Sequence, residues 1–148
     1  MNSKANRFRL EIVTIERHLF DDYVDMVVVP AVDGVLGVLP NHAPMISLLT
    51  YGELVVRIYN KEDFSYAIGG GVIQILSDHV VVLADSAEHE DEIDLQKAEE
   101  ARERAEKSIH QPAADHDLVA IRNTLKKSEV RLSVARRRSI NQNQSPIR

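Results

Sequence analysis

The 148 residues include no cysteine and no tryptophan. Without cysteine the chain has no disulfide framework, no thiolate zinc site and no cysteine nucleophile. No apolar run approaches the ~18 to 20 residues that a bilayer-spanning helix needs. The start, Met1-Asn-Ser-Lys-Ala-Asn-Arg7, lacks the apolar centre of a signal peptide. A cytosolic location is therefore expected, with any membrane association arising through partner proteins. Two further absences are local. All six glycines lie at or before Gly71, and all seven aromatics lie at or before Tyr66. Such a break in composition marks two architectures in one chain.

What is present suits a soluble globular protein, with 44% hydrophobic and 28% charged residues. The net charge of −5 conceals an asymmetry. Residues 1–88 carry 6 Lys/Arg and 12 Asp/Glu, a net of −6, whereas residues 89–148 carry 12 and 11, a net of +1. Between Arg122 and Arg138 there are seven bases and one acid, Glu129. This local basic surface says more about partners than the total does.

The first part has the grammar of strands. Phe8, Leu10 and Ile12 alternate with Arg9 and Glu11, a period of two. Runs of β-branched and apolar residues recur at 23–29, 54–59, 64–68, 72–76 and 80–83, the last two joined by Ser77-Asp78-His79 as in a hairpin. Many short strands at this spacing predict an all-β antiparallel sandwich or barrel over residues 1–88. Residues 34–44 read Gly-Val-Leu-Gly-Val-Leu-Pro-Asn-His-Ala-Pro. That combination predicts a shaped loop anchored by Val35, Leu36, Val38 and Leu39, with Asn41 and His42 presented at a bend.

The second part has the grammar of helices. From Asp94 to Lys107, nine of fourteen residues are charged. The least polar stripe is Ala98, Ala101, Ala105 and Ile109, and Gln111-Pro112 ends the helix. Asp94 reads as its N-cap and Lys97 as a solvated first-turn residue. A second helix, capped by Asp115 or Asp117, carries the seam Leu118, Ile121, Leu125, Ser128, Leu132 and Ala135, a heptad spacing. Alanines on one helix facing leucines on the other predict an all-α antiparallel two-helix hairpin over residues 89–138. Three alanines and one isoleucine bury little apolar area at ~25 cal/mol per Å². Ordering such a segment opposes folding by tens of kcal/mol. The hairpin is therefore expected to be marginal alone and mobile. The tail 139–148, polar and aperiodic from Asn141, is expected to be disordered.

Gly34-Val-Leu-Gly-Val-Leu-Pro-Asn-His-Ala-Pro44, in a β-domain followed by a helical hairpin, resembles the epsilon subunit of the F-type rotary ATP synthase. Ile68-Gly-Gly-Gly-Val72, Val82-Leu-Ala-Asp85, Ile93-Asp-Leu-Gln-Lys-Ala98 and Arg131-Leu-Ser-Val-Ala135 support the resemblance, which covers roughly residues 7–136. The lack of an organelle-targeting segment fits a bacterial protein. The resemblance implies a non-catalytic central-stalk subunit at the cytoplasmic face of the membrane. Its β-domain would grip the gamma subunit and rest on the c-ring through Asp33, Gly34, Val35, Gly37 and His42. Its hairpin would extend into the catalytic alpha/beta head and block ATP hydrolysis, with Arg122, Lys126 and Arg131 meeting an acidic stretch there. Some members bind ATP through an Ile/Leu-Asp-x-x-Arg-Ala motif and further arginines. The matching positions here are Glu88, Asp94, Lys97, Ala98, Arg104, Lys127 and Arg131. Lys97 and Lys127 replace arginines, which keeps charge but loses the planar fork that grips phosphate, so binding is expected to be weak. No cofactor is required on this reading, and ATP is a regulatory ligand.

Other chemistries fit less well. His42 has no partner at metal-ligand spacing, so a structural or interface role is favoured over a metal. Gly69-Gly-Gly71 follows a strand, but no Lys-Ser/Thr comes after it, which leaves close backbone packing or a bulge rather than a phosphate cradle. Arg136-Arg-Arg138 has no aromatics beside it to stack bases, and a cationic helix end explains it without nucleic acid. His89, His110 and His116 look scattered and solvated. No nucleophile is paired with a base, so no catalytic residue is assigned. A stand-alone β-sandwich that binds a small ligand, and a nucleic-acid-binding protein with a basic helical arm, are the alternative classes.

Overall fold

β-branched and apolar residues at period two place one side of each strand in the core, and the first strand shows this directly. In the computed structural model, which describes residues 6–111 and 115–144, Phe8, Leu10 and Ile12 are 1%, 0% and 0% exposed. The chain forms two compact units, Met1–Glu88 and His89–Arg148.

The first unit contains β1 (Phe8–Val13), β2 (His18–Val24), β3 (Met26–Ala31), β4 (Gly34–Val38), β5 (Met45–Arg57), β6 (Phe64–Ile75) and β7 (His79–Ala84). A short β8 (Ala87–His89) pairs with β6 at the unit's end. The ladder runs β2-β1-β7-β6-β5-β3-β4. Every main pairing is antiparallel except β1 with β7, which is parallel. The expected purely antiparallel sheet is thus corrected to a mixed β-sandwich, because the first strand enters between β2 and β7.

Two other expectations change. Residues 54–59, 64–68 and 72–76 do not form separate short strands. β5 and β6 are single strands of 13 and 12 residues paired along their length. Along β6 the residues that join the main core cluster are Tyr66 and Ile68 before the glycine triplet, then Ile73 and Ile75 after it; Ala67 is buried on the other side. The parity of the inward side therefore switches across Gly69-Gly70-Gly71. This is how a long strand turns a corner and serves both layers of a sandwich. Second, residues 34–38 are an edge strand rather than a loop, paired with β3 from Ala31↔Gly34 to Val27↔Val38. Val38 is fully buried there.

On the β2-β1-β7 side, ion pairs lock the ladder. Arg9 grips Asp21 with two hydrogen bonds, Nε to Oδ1 at 2.8 Å and Nη2 to Oδ2 at 2.7 Å. Glu11 accepts from His79 Nε2 at 2.8 Å and meets His18 Nε2 at 3.5 Å. Burial pushes the Glu11 carboxyl up, but the hydrogen bonds from His79 and His18 and the charge of Arg9 together hold it below the usual range. The bond from Arg9 holds Asp21 low in the same way. A carboxylate depressed in the folded state adds stability above its unfolded pKa of about 4, and that stability is lost as pH falls through the folded value. Glu11→Gln and Asp21→Asn should therefore melt below the parent at pH 7. The gap should close as pH drops below about 4 in thermal melts.

The second unit opens with a 3-10 turn, Glu90–Glu92, followed by α1 (Leu95–Ile109) and α2 (Asp115–Gln144). Asp94 caps α1 by accepting the Lys97 N–H at 3.1 Å. α2 extends to Gln144, so 141–144 are helical rather than a disordered tail. Backbone hydrogen bonding carries the helix past its last apolar residue. Residues 145–148 lie outside the described residues. Among the described residues of this unit, the buried apolar side chains are Ala98, Ala105, Leu132, Val134 and Ala135.

Candidate functional site

Three surfaces carry the residues singled out from sequence. The first lies at the β3–β4 hairpin and the bend after it. Val32 and Asp33 form the hairpin tip, and Gly34 sits at φ +127°. Asp33, Gly34, Val35 and Gly37 are all exposed. Residues 39–44 make the bend. Asn41 occupies the left-handed region at φ 61° and its N–H donates to Ser77 O at 3.0 Å. His42 is half-buried, its N–H donates to Leu39 O, and its Nδ1 lies 2.8 Å from Ala43 O. The ring is thus held by the backbone.

An exposed apolar face on this unit was missed by sequence reading. Leu48↔Val72 and Val72↔Leu83 form one row across β5, β6 and β7. Leu48 and Leu83 are 59% and 55% exposed, and Ile46 reaches 68%. The Val32 N–H donates to Leu48 O, which ties the hairpin tip to this row. Exposed apolar rows of this kind mark interaction surfaces. The available signal was Met45-Ile-Ser-Leu-Leu49, more apolar than a half-solvated strand requires.

The second surface is one flank of the helical pair. Arg104 lines a cleft of about 290 Å3 with Ala120, Ile121 and Thr124 of α2. Lys97 lies seven residues before Arg104, and Lys127 and Arg131 lie three and seven after Thr124. At 3.6 residues per turn all four cations fall on this flank. Ala98 is instead 0% exposed in the seam, where it packs rather than presents chemistry. Asp94 is committed to its cap, and Glu88 belongs to the first unit.

The third surface is the outward side of α2. Arg122 and Lys126, four apart, share it. Arg131 lies five residues on, roughly 140° around the helix. Charge alone groups these three residues, but rotation places Arg131 with the cleft flank instead. His89 is not solvated as expected: it is half-buried, and its Nδ1 accepts the Asp91 N–H at 3.2 Å while Glu92 accepts the His89 N–H. His110 is exposed, and the His116 side chain lies outside the described residues. Among the described residues no group of three His, Cys, Asp or Glu is arranged to hold a metal. Nor is any described helix long and apolar enough to cross a membrane.

Residues 7–90 match the family model described as ATP synthase, Delta/Epsilon chain, beta-sandwich domain, and residues 91–136 match its long alpha-helix domain. The chain belongs to the ATP synthase delta/epsilon family. The ATP synthase epsilon chain of Chloroflexus aggregans is 43% identical over 136 residues, covering 92% of this chain and 97% of that one. That of Dehalococcoides mccartyi strain BAV1 is 42% identical over 133 residues, covering 89% and 94%. A chain from the Euglena gracilis mitochondrial ATP synthase OSCP/F1/c-ring structure aligns at TM-score 0.67 and 20% identity, covering 92% of this chain and 81% of that chain. Another, from the Tetrahymena thermophila mitochondrial ATP synthase central stalk/c-ring structure, aligns at 0.64 and 10%, covering 86% and 96%. Both share this chain's fold.

Proposed function

We propose that the chain is the non-catalytic epsilon subunit of a rotary ATP synthase, seated in the central stalk and able to restrain ATP hydrolysis. Family membership across both units, at 42–43% identity to named epsilon chains, carries this reading. The exposed apolar row Ile46, Leu48 and Leu83 suits a permanent protein neighbour, which we assign to gamma. The hairpin tip and bend, with Asp33, Gly34, Val35, Gly37 and His42, face the c-ring. Arg122 and Lys126 supply the attraction to an acidic stretch of the catalytic alpha/beta head, and that attraction is screened over ~10 Å at 0.1 M salt. The subunit sits at the cytoplasmic face of a bacterial membrane, peripheral through the complex.

Among the described residues, five buried apolar side chains, three of them alanine, hold the second unit together. A pair so lightly packed is suited to two positions of one element. ATP bound by Lys97, Arg104, Lys127 and Arg131 would favour the folded position by bridging cations of both helices.

The test is hydrolysis by the assembled enzyme with the full chain or with a chain ending at Glu88. Truncation should raise hydrolysis several-fold and leave gamma co-purification intact. Unchanged hydrolysis would remove the inhibitory role, and loss of gamma from the preparation with the full chain would remove the stalk assignment. For the ATP arm, calorimetry should show weak binding that tightens in Lys97→Arg.

A further inference from the structure

We propose that the cleft on the opposite flank of the helical pair binds a phosphate-bearing ligand, anchored by the guanidiniums of Arg102 and Arg136. This does not rest on the reading above, since none of its residues is a nucleotide-motif position.

The cleft has a volume of about 420 Å3, in the range of small-ligand sites. α1 contributes Arg102, and α2 contributes Arg136, Arg137, Ser133, Leu132, Ile140 and a single acid, Glu129. One carboxylate organises the two anchors. Glu99 accepts from Arg102 Nη2 through Oε1 and from Arg136 Nη2 through Oε2, the latter at 3.3 Å. Two guanidiniums from different helices are thereby held side by side. Each guanidinium has five N–H donors; Arg102 pairs with Glu106 at 3.7 Å besides the shared Glu99, which still leaves donors on both forks for an oxyanion.

The second observation is Arg102 Nε. This atom is buried and meets no acceptor. Buried donors in native proteins are satisfied with few exceptions, and a bound ion is one of the ordinary partners of such a donor. The guanidinium pairs with Glu99 and, at 3.7 Å, with Glu106, yet its Nε–H remains unanswered. Phosphate answers it better than a second carboxylate does. A tetrahedral oxyanion offers three accepting oxygens to two forks that converge from different helices, whereas one planar carboxylate is already seated between them. Ser133, exposed on α2, adds a hydroxyl donor, while Leu132 and Ile140 give an organic remainder an apolar surface.

The probe is pyrophosphate, titrated into the full chain at low salt and followed by calorimetry and amide chemical shifts. Saturable binding is expected, with shifts centred on Ser133 and Arg136. Arg136→Gln should weaken it at least about tenfold, the effect of one charge-assisted bidentate contact. Arg136→Lys should recover part of the loss, and Lys107→Gln, at an exposed cation that lines neither cleft, should change nothing. Arg136 is exposed, so its variants should fold, and circular dichroism checks this. The proposal is overturned if the folded parent fails to bind pyrophosphate, if Arg136→Gln leaves that binding unchanged, or if Lys107→Gln weakens it as much as Arg136→Gln. Binding of a polyglutamate peptide without pyrophosphate binding would also overturn it, in favour of an acidic protein partner. Phosphatidylglycerol vesicles separate the sources. Cosedimentation abolished by Arg136→Gln assigns a lipid headgroup, and no cosedimentation assigns a soluble phosphate compound. Vesicle binding that survives Arg136→Gln counts against the cleft.

Discussion

Gly71→Ala should destabilise the β unit at least about twice as much as Gly34→Ala, although both glycines sit at φ +127°. At Gly34 a methyl group meets nothing within 4 Å, so only the backbone conformation opposes it. That strain is worth about 1–3 kcal/mol. At Gly71 the same methyl lies 2.1 Å from Leu83 O and 2.8 Å from Ala84 Cα. Both obstacles are backbone and cannot rotate away. Relief requires β6 and β7 to part where Gly71 pairs with Ala84. Overpacking of this kind adds about 1–3 kcal/mol or more to the same strain. The total is a large share of the ~5–15 kcal/mol that holds a domain. Urea denaturation followed by tyrosine fluorescence reads this unit alone, because Tyr23, Tyr51, Tyr59 and Tyr66 all lie in it and tryptophan is absent. Equal losses at the two glycines would show that β6 and β7 have room to spare at Gly71.

The same glycines show where the sequence could be read and where it could not. Strict alternation in Phe8, Leu10 and Ile12 reported a strand because β1 serves one layer with one side. The Asp94 cap and the heptad seam were legible for a similar reason, since both rest on contacts within a few residues. β6 was not legible as one strand. Its inward side switches at the triplet, so no single period describes it. β4 looked like a loop because its glycines and neighbouring prolines are breakers in isolation, while its pairing with β3 across the tip Val32-Asp33 overrides them. β2 was missed because an edge strand bearing Asp21 and Asp22 has no clean apolar side. Glu11, His18 and His79 meet across separations of 7 and 68 residues, which no spacing argument reaches. On the helices, charge identified the basic residues but not their rotation. This is why Arg131 parts from Arg122 and Lys126, and why the cleft beside Arg102 went unseen.

Leu132→Ala should open the helical pair and leave the β unit folded. Of the five buried apolar side chains in the second unit, Leu132 is the large one in the heptad seam, 3% exposed. Val134, two residues on, points roughly 200° away from it on the helix. Truncating a buried leucine costs about 2–5 kcal/mol. The seam's other buried members are Ala98, Ala105, Ser128 and Ala135, with Leu118, Ile121 and Leu125 only half-buried, so it has little to set against that loss. Leu132→Met, close in volume, should cost under about 1.5 kcal/mol and serves as the control. Hydrogen exchange gives the readout. Amides of Leu95–Ile109 and of α2 should approach unprotected rates, while those of Phe64–Ile75 keep their protection. Exchange rising equally in both units would mean that the two open together and that the hairpin is not an independent element. The variant also sets a sign on the regulatory proposal. On that proposal truncation removes the helices that restrain hydrolysis and should raise it. Leu132→Ala keeps those helices but weakens their packed position, so it shifts the population toward the extended one. Hydrolysis by the assembled enzyme should therefore fall, opposite to the effect of truncation, even though both changes destroy the same helical pair in the free subunit.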